Sequence, residues 1–153
     1  MTKHRVLFVC VHNSARSQMA EELLRKIAGD RFDVESAGLE PGTLNPYAVA
    51  ALREEGIDIT GKKTVSAFDL LKQGRYYTYV ITVCDETSSE SCPIFPWCRE
   101  RFHWSFPDPS KFTGTDEEIM ERVRELRNRI KERISGWVAD AEKADEKGRI
   151  KAV

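Results

Sequence analysis

Hydrophobic positions along this chain follow two rhythms, short continuous runs and helical stripes. Arg5 to Cys10, RVLFVC, is an apolar run of the kind that suits a strand buried in a parallel sheet. From Ser17 to Ala28 the apolar positions Ala20, Leu23, Leu24 and Ile27 fall on one helical face. Phe32 to Ala37 reads as a second strand, ended by Gly38. Asn45-Pro46 is a helix start, cap followed by first-turn proline, and the helix runs to Glu55 before Gly56 stops it. Ser66 to Leu71 is a further short helical piece. Tyr76 to Val83, YYTYVITV, is the strongest strand signal, rich in aromatic and β-branched residues, and it leads into Cys84. Residues 85–114 read as loop, broken by Pro93, Pro96, Pro107 and Pro109. TDEE at 115–118 is a capping box for a long helix with Ile119, Val123, Leu126, Ile130 and Ile134 on one face. After Trp137 the apolar pattern fades into a charged tail. Strands alternating with helices predict an α/β fold with a parallel sheet. The expected organisation is one catalytic domain over residues 1–138 and a charged tail over 139–153.

Composition narrows the class. The chain has 153 residues, 41% of them hydrophobic, enough for one globular core. A formal net charge of -1 gives no electrostatic reason to expect nucleic acid or an anionic membrane as partner. No apolar run reaches transmembrane length, and the N-terminal residues lack a signal-peptide plan. A soluble, cytoplasmic monomer is expected. In a reducing compartment, cysteines serve as buried, catalytic or metal-binding thiols more often than as structural disulfides. The four here are Cys10, Cys84, Cys92 and Cys98, three of them crowded into one segment.

Cys10 and Cys84 both stand at the carboxyl ends of expected buried strands, where open α/β sheets bind their ligands. Between strand and helix, CVHNSAR turns several backbone N–H groups inward at a helix N-terminus, a nest for an anion. Arg16 adds a permanent charge in a fork that grips two oxygens of a tetrahedral oxyanion. The same field favours thiolate over thiol at Cys10. Ser14 and Ser17 are placed to steady it, and Asn13 suits a position with positive φ. A buried cysteine alone would be read as packing. The five-residue spacing to Arg16, set between strand and helix, turns that reading toward chemistry.

FVCVHNSARSQMAE resembles the phosphate-binding loop of the low-molecular-weight protein tyrosine phosphatase family, and ESAGLEPGTLNPYAVAALREEGIDI resembles that family's second strand and helix. The likeness spans residues 5 to about 138. It implies a small parallel sheet of about four strands with helices on both faces. By the same resemblance Cys10 is the nucleophile and Arg16 the oxyanion clamp. The loop Val11, His12, Asn13, Ser14, Ala15, Arg16 and Ser17 lines the substrate, and Asp108 of FPDPS is the general acid. Asp-Pro is also a common turn opener, and that bland reading of Asp108 stays beside the functional one.

Such a loop takes any tetrahedral oxyanion, so phosphate, sulfate and arsenate compete for it. The remaining thiols separate the chemistries, because a phosphatase needs one cysteine whereas reduction of arsenate consumes two electrons that a pair of thiols can supply. CDETSSESCPIFP, together with Gln18, is similar to the thioredoxin-coupled arsenate reductases, which share the phosphatase fold. That resemblance implies a relay. Cys10 forms a thiol–arsenate adduct, Cys84 attacks the Cys10 sulfur as arsenite leaves, and Cys92 then takes over the disulfide for thioredoxin to reduce. Bridged Cα atoms lie within about 7 Å, whereas eight extended positions span roughly 26 Å, so the segment from Cys84 to Cys92 must fold back. The phosphatase reading remains the alternative. No tightly bound cofactor or metal is expected: Asn13, Glu21 and Ser36 match positions of a potassium site in some relatives, but KKTVSAF offers no acid where the other ligands fall. Ala15 stands where many such reductases carry a further cysteine, and His12 where a small residue is usual. Cys98 reads as a packed thiol or a second resolving thiol. A zinc-binding or redox-sensing module using Cys84, Cys92, Cys98 and His103 is the non-enzyme alternative, although these residues lack close Cys-x2-Cys pairing.

Overall fold

The structure, a computed structural model, describes residues 3–85 and 98–146. Strand β1 (His4–Cys10) feeds helix α1 (Arg16–Ala28), β2 (Phe32–Gly38), α2 (Pro46–Glu54) and α3 (Ala67–Lys72). Then follow β3 (Tyr77–Thr82), β4 (Cys98–His103), a single 3-10 turn at Pro109–Lys111, and the long α4 (Asp116–Glu146). The strands form one sheet in the order β2-β1-β3-β4, parallel throughout.

The expected α/β class, the four-stranded sheet and the cover on both faces are all present. The larger core packs Phe8, Met19, Leu23, Leu52, Tyr79, Trp104, Leu126, Ile130 and Ile134 between the sheet and α1, α2 and α4. On the other face Leu7, Val9, Tyr77 and Val80 meet Ala67 and Leu70 of α3. Central β1 is buried on both sides, with Val6, Leu7, Phe8 and Val9 all at 0% exposure. Its continuous apolar run is the signature of such a strand.

Helix starts follow the side-chain chemistry. The Asn45 carboxamide accepts from the N–H groups of Tyr47 (2.9 Å) and Ala48 (3.2 Å), with Pro46 in the first turn. Thr115 and Glu118 close a reciprocal capping box, each side chain accepting from the other's N–H. Arg127 of α4 donates to the Ala51 carbonyl and to Glu54 of α2, and this hydrogen bond is the main cause holding the Glu54 carboxyl below its usual range. Asn45→Ala should cost about 1 kcal/mol of stability, read as a lower urea midpoint at unchanged m-value.

One element departs from expectation. Residues 85–114 read as loop, but Cys98–His103 is a strand, paired in parallel with β3 from Tyr77↔Cys98 to Thr82↔His103. Its sequence, CRERFH, is largely exposed and charged because it is an edge strand, with β3 on one side only. Helix α4 runs through Trp137 to Glu146, with Val138 and Ala141 buried against the larger core.

Candidate active site

The loop between β1 and α1 is built from the outside inward. The carbonyls of Cys10, Val11, His12 and Ser14 accept hydrogen bonds from the N–H groups of Leu39, Glu40, Gly42 and Asn45, at 2.7–3.2 Å. Four loop carbonyls are thus drawn to this segment, and the Asn13 N–H is turned onto the Cys10 sulfur. Asn13 takes φ 54°, the left-handed conformation that makes the turn possible. The close approach of β2 to the loop needs a glycine at its end. A Cβ on Gly38 would meet the Asn13 nitrogen at 2.7 Å and the His12 carbonyl carbon at 2.8 Å. Gly38→Ala should therefore push the loop outward. By the usual cost of overpacking, about 1–3 kcal/mol, phosphate affinity measured by calorimetry is expected to fall roughly tenfold.

The Cys10 sulfur lies 3.1 Å from the Asn13 N–H and 2.9 Å from the Ser17 hydroxyl, and Cys10 is only 2% exposed. The direction of the second bond follows from the surrounding groups. The Val65 N–H donates to Asn13 Oδ1 at 2.9 Å, which fixes the carboxamide with its NH2 toward Ser17 Oγ (2.7 Å) and Ser36 Oγ (2.9 Å). Ser17 Oγ already accepts from Asn13, which leaves its own proton for sulfur. The sulfur therefore receives two hydrogen bonds, one from the Asn13 N–H and one from the Ser17 hydroxyl. Ser14 contributes its carbonyl to the Asn45 N–H.

Arg16 opens α1 and is 3% exposed. Its Nη1 donates to the Phe106 carbonyl at 3.2 Å, and its Nη2 lies 3.8 Å from Asp108 Oδ2. The other Asp108 oxygen, Oδ1, accepts from the Ser110 N–H (2.9 Å) and hydroxyl (2.8 Å), capping the 3-10 turn. Asp108 thus opens the turn with one oxygen and faces Arg16 with the other. His12 is exposed at the loop rim, with Nδ1 2.9 Å from the Glu40 carbonyl.

Cys84 follows β3 and is 1% exposed. The Val83 N–H donates to the Val9 carbonyl, and β1 pairs with β3 at Val9↔Thr82, so the chain enters Cys84 on the strand neighbouring Cys10. Phe106 links the two parts, its N–H donating to the Cys84 carbonyl while its own carbonyl receives Arg16. Cys10, Cys84 and Cys98 are thiols, not half-cystines. Cys92 lies outside the described residues. Cys98 starts β4 and is half-buried, with Arg101 Nε 3.4 Å from its sulfur. His103, at the other end of β4, hydrogen-bonds Thr82 Oγ1. Five strand steps separate Cys98 from His103, about 16 Å, too far to share one zinc ion, and no metal-binding cluster of acids, cysteines and histidines occurs among the described residues. Trp104 and Phe106 are core residues, Trp104 against Phe8 and Trp137.

Against this geometry, the sequence profile described as low molecular weight phosphotyrosine protein phosphatase matches residues 5–147. The chain belongs to that family. Within the low molecular weight phosphatase family its relatives carry a more particular name. The arsenate reductase of Halalkalibacterium halodurans is 43% identical over 136 residues, covering 88% of this chain and 94% of the relative. A solved arsenate reductase in the phosphate-binding state superposes with TM-score 0.70 at 31% identity, over 90% of this chain and 98% of the other. The thioredoxin-dependent arsenate reductase of Corynebacterium glutamicum gives TM-score 0.57 at 28% identity, over 88% of this chain and 63% of the other. Among the described residues, no helix is long and apolar enough to cross a membrane.

Sequence reading singled out Cys10, Asn13, Arg16, Ser17 and Asp108, and the fold brings all five to one place. It missed Gly38 and the Phe106 carbonyl, the first because a close backbone approach has no local signal, the second because any residue supplies a carbonyl.

Proposed function

We propose that this protein is a cytoplasmic arsenate reductase, drawing its electrons through Cys10, Cys84 and Cys92 from thioredoxin. The observation that carries the reading is a doubly hydrogen-bonded Cys10 in the loop between β1 and α1, with a second buried thiol, Cys84, following the adjacent strand. The loop amides and Arg16 hold the arsenate oxygens. The Cys10 thiolate displaces one oxygen from arsenic, and Asp108 donates the proton that lets it leave as water. The Cys84 thiolate then attacks the Cys10 sulfur. The sulfur–arsenic bond breaks with its electron pair on arsenic, giving arsenite and a Cys10–Cys84 disulfide. Cys92 attacks Cys84, the Cys10 thiolate is released, and the thioredoxin dithiol reduces the Cys84–Cys92 disulfide. Each exchange conserves thiols and disulfides, so two electrons pass from thioredoxin to arsenic per turnover.

The test is NADPH oxidation coupled through thioredoxin and thioredoxin reductase, with and without arsenate, beside hydrolysis of a phosphotyrosine substrate. Arsenate-dependent oxidation is expected. Efficient phosphotyrosine hydrolysis without arsenate-dependent oxidation would assign the chain to phosphatase chemistry instead. Weak hydrolysis alone decides little, since the loop and Arg16 support it in either case.

A further inference from the structure

A line of polar contacts runs from the thiol to the surface. Ser17 Oγ meets the Cys10 sulfur, Asn13 Nδ2 bridges Ser17 and Ser36, and Ser36 Oγ donates to Glu21 Oε1 at 2.5 Å. On that same buried carboxylate oxygen sits the Lys62 ammonium, at 2.7 Å. The second Glu21 oxygen is held by Arg25 at 2.5 Å. Lys62 also reaches Glu22 at 3.2 Å.

The backbone around Lys62 is arranged to hold it there. Its N–H closes a turn onto the Ile59 carbonyl, through Gly61 at φ 81°. The residues after it strap the loop. Gln18 Nε2 reaches the Lys63 carbonyl, Thr64 Oγ1 donates to the Gly42 carbonyl, and Val65 bonds Asn13 through its N–H and Gly38 through its carbonyl.

Asn13, Glu21 and Ser36 are the positions that match a potassium site in some relatives, but here they do not fit that ion. Glu21 Oε1 is taken by Lys62 and Ser36, and Oε2 by Arg25. Asn13 Oδ1 already accepts from Gln18 and Val65. A buried carboxylate needs a counter-charge, and this chain supplies it from its own side chains.

We propose that Lys62 is a positioning residue, a tethered cation that takes the place of a potassium ion and, through Glu21, Ser36, Asn13 and Ser17, holds the Cys10 thiolate in its reactive setting. The inference rests on Cys10 being the reactive thiol, but its test needs no arsenate and so stands apart from the substrate assignment. The readout is the rate at which neutral iodoacetamide alkylates Cys10, followed by peptide mass, in equal concentrations of potassium chloride and choline chloride. The wild-type rate should be the same in both salts. Lys62→Gln should slow alkylation about threefold to tenfold in both, within the range for coupling through such a network, and Lys62→Arg should restore the wild-type rate. Potassium-specific acceleration of the wild type would overturn the proposal and needs no variant. So would an unchanged rate in Lys62→Gln, or an arginine variant as slow as the glutamine one.

Discussion

Cys10→Ser is expected to lower arsenate-dependent NADPH oxidation to background, a loss of at least about 10⁴-fold, the scale seen when a catalytic nucleophile is removed. The substitution changes little in the geometry. A serine oxygen would sit beside the same Asn13 N–H and Ser17 hydroxyl that hold the sulfur. It cannot pass electrons, since an alkoxide that bonded arsenic would have no disulfide to form afterwards. Oxyanion binding should survive, because the loop amides and Arg16 are untouched and a thiolate charge has left the site. Phosphate affinity by calorimetry should therefore stay the same or rise while turnover vanishes. Retained turnover would move the first attack on arsenic to another thiol, and joint loss of binding and turnover would mean that the loop had collapsed.

Cys92→Ser should fail in a different way. If Cys92 only carries the disulfide outward, the first reduction of arsenate does not need it. The variant should release close to one equivalent of arsenite and then stop, with two thiols lost to titration and a Cys10–Cys84 bridge recovered by peptide mass. Steady-state turnover should fall at least about 10²-fold, limited by thioredoxin's poor access to a buried disulfide. The contrast with Cys10→Ser is the informative part, with no turnover in one variant and a single turnover in the other. Multiple turnover unchanged in Cys92→Ser would give the resolving role to Cys98 or to an outside thiol. Cys98, at the start of β4 across from Tyr77 at the opposite end of β3 from Cys84, is badly placed for it.

What the sequence reveals and what it hides divide along physical lines. β1 is legible because a strand buried on both faces must be apolar at successive positions, and the Cys10-to-Arg16 spacing is legible because a loop that wraps an anion has little freedom in length. Helix starts at Asn45 and Thr115 are legible because capping is local. Strand β4 is not, since an edge strand keeps polar side chains and CRERFH shows no burial rhythm among the surrounding prolines. The outer brace at Leu39 to Asn45 acts through backbone groups, which carry no residue signature. Lys62 is hidden for another reason. A surface lysine in a turn looks like every other, and only the fold brings it onto a carboxylate 41 positions earlier in the chain.

Strand β1 carries one more consequence. It pairs on both sides, and its last residue is the thiol around which the anion loop closes. The amides of Val6 to Val9 should exchange with deuterium only through global unfolding. The loop is tied to β2, to the segment before α2 and to the strap before α3, so it has no separate mode of melting. Inactivation by heat or urea should then track the loss of tertiary structure with a single midpoint, and an oxyanion that fills the loop should raise that midpoint for the whole protein, not for the loop alone.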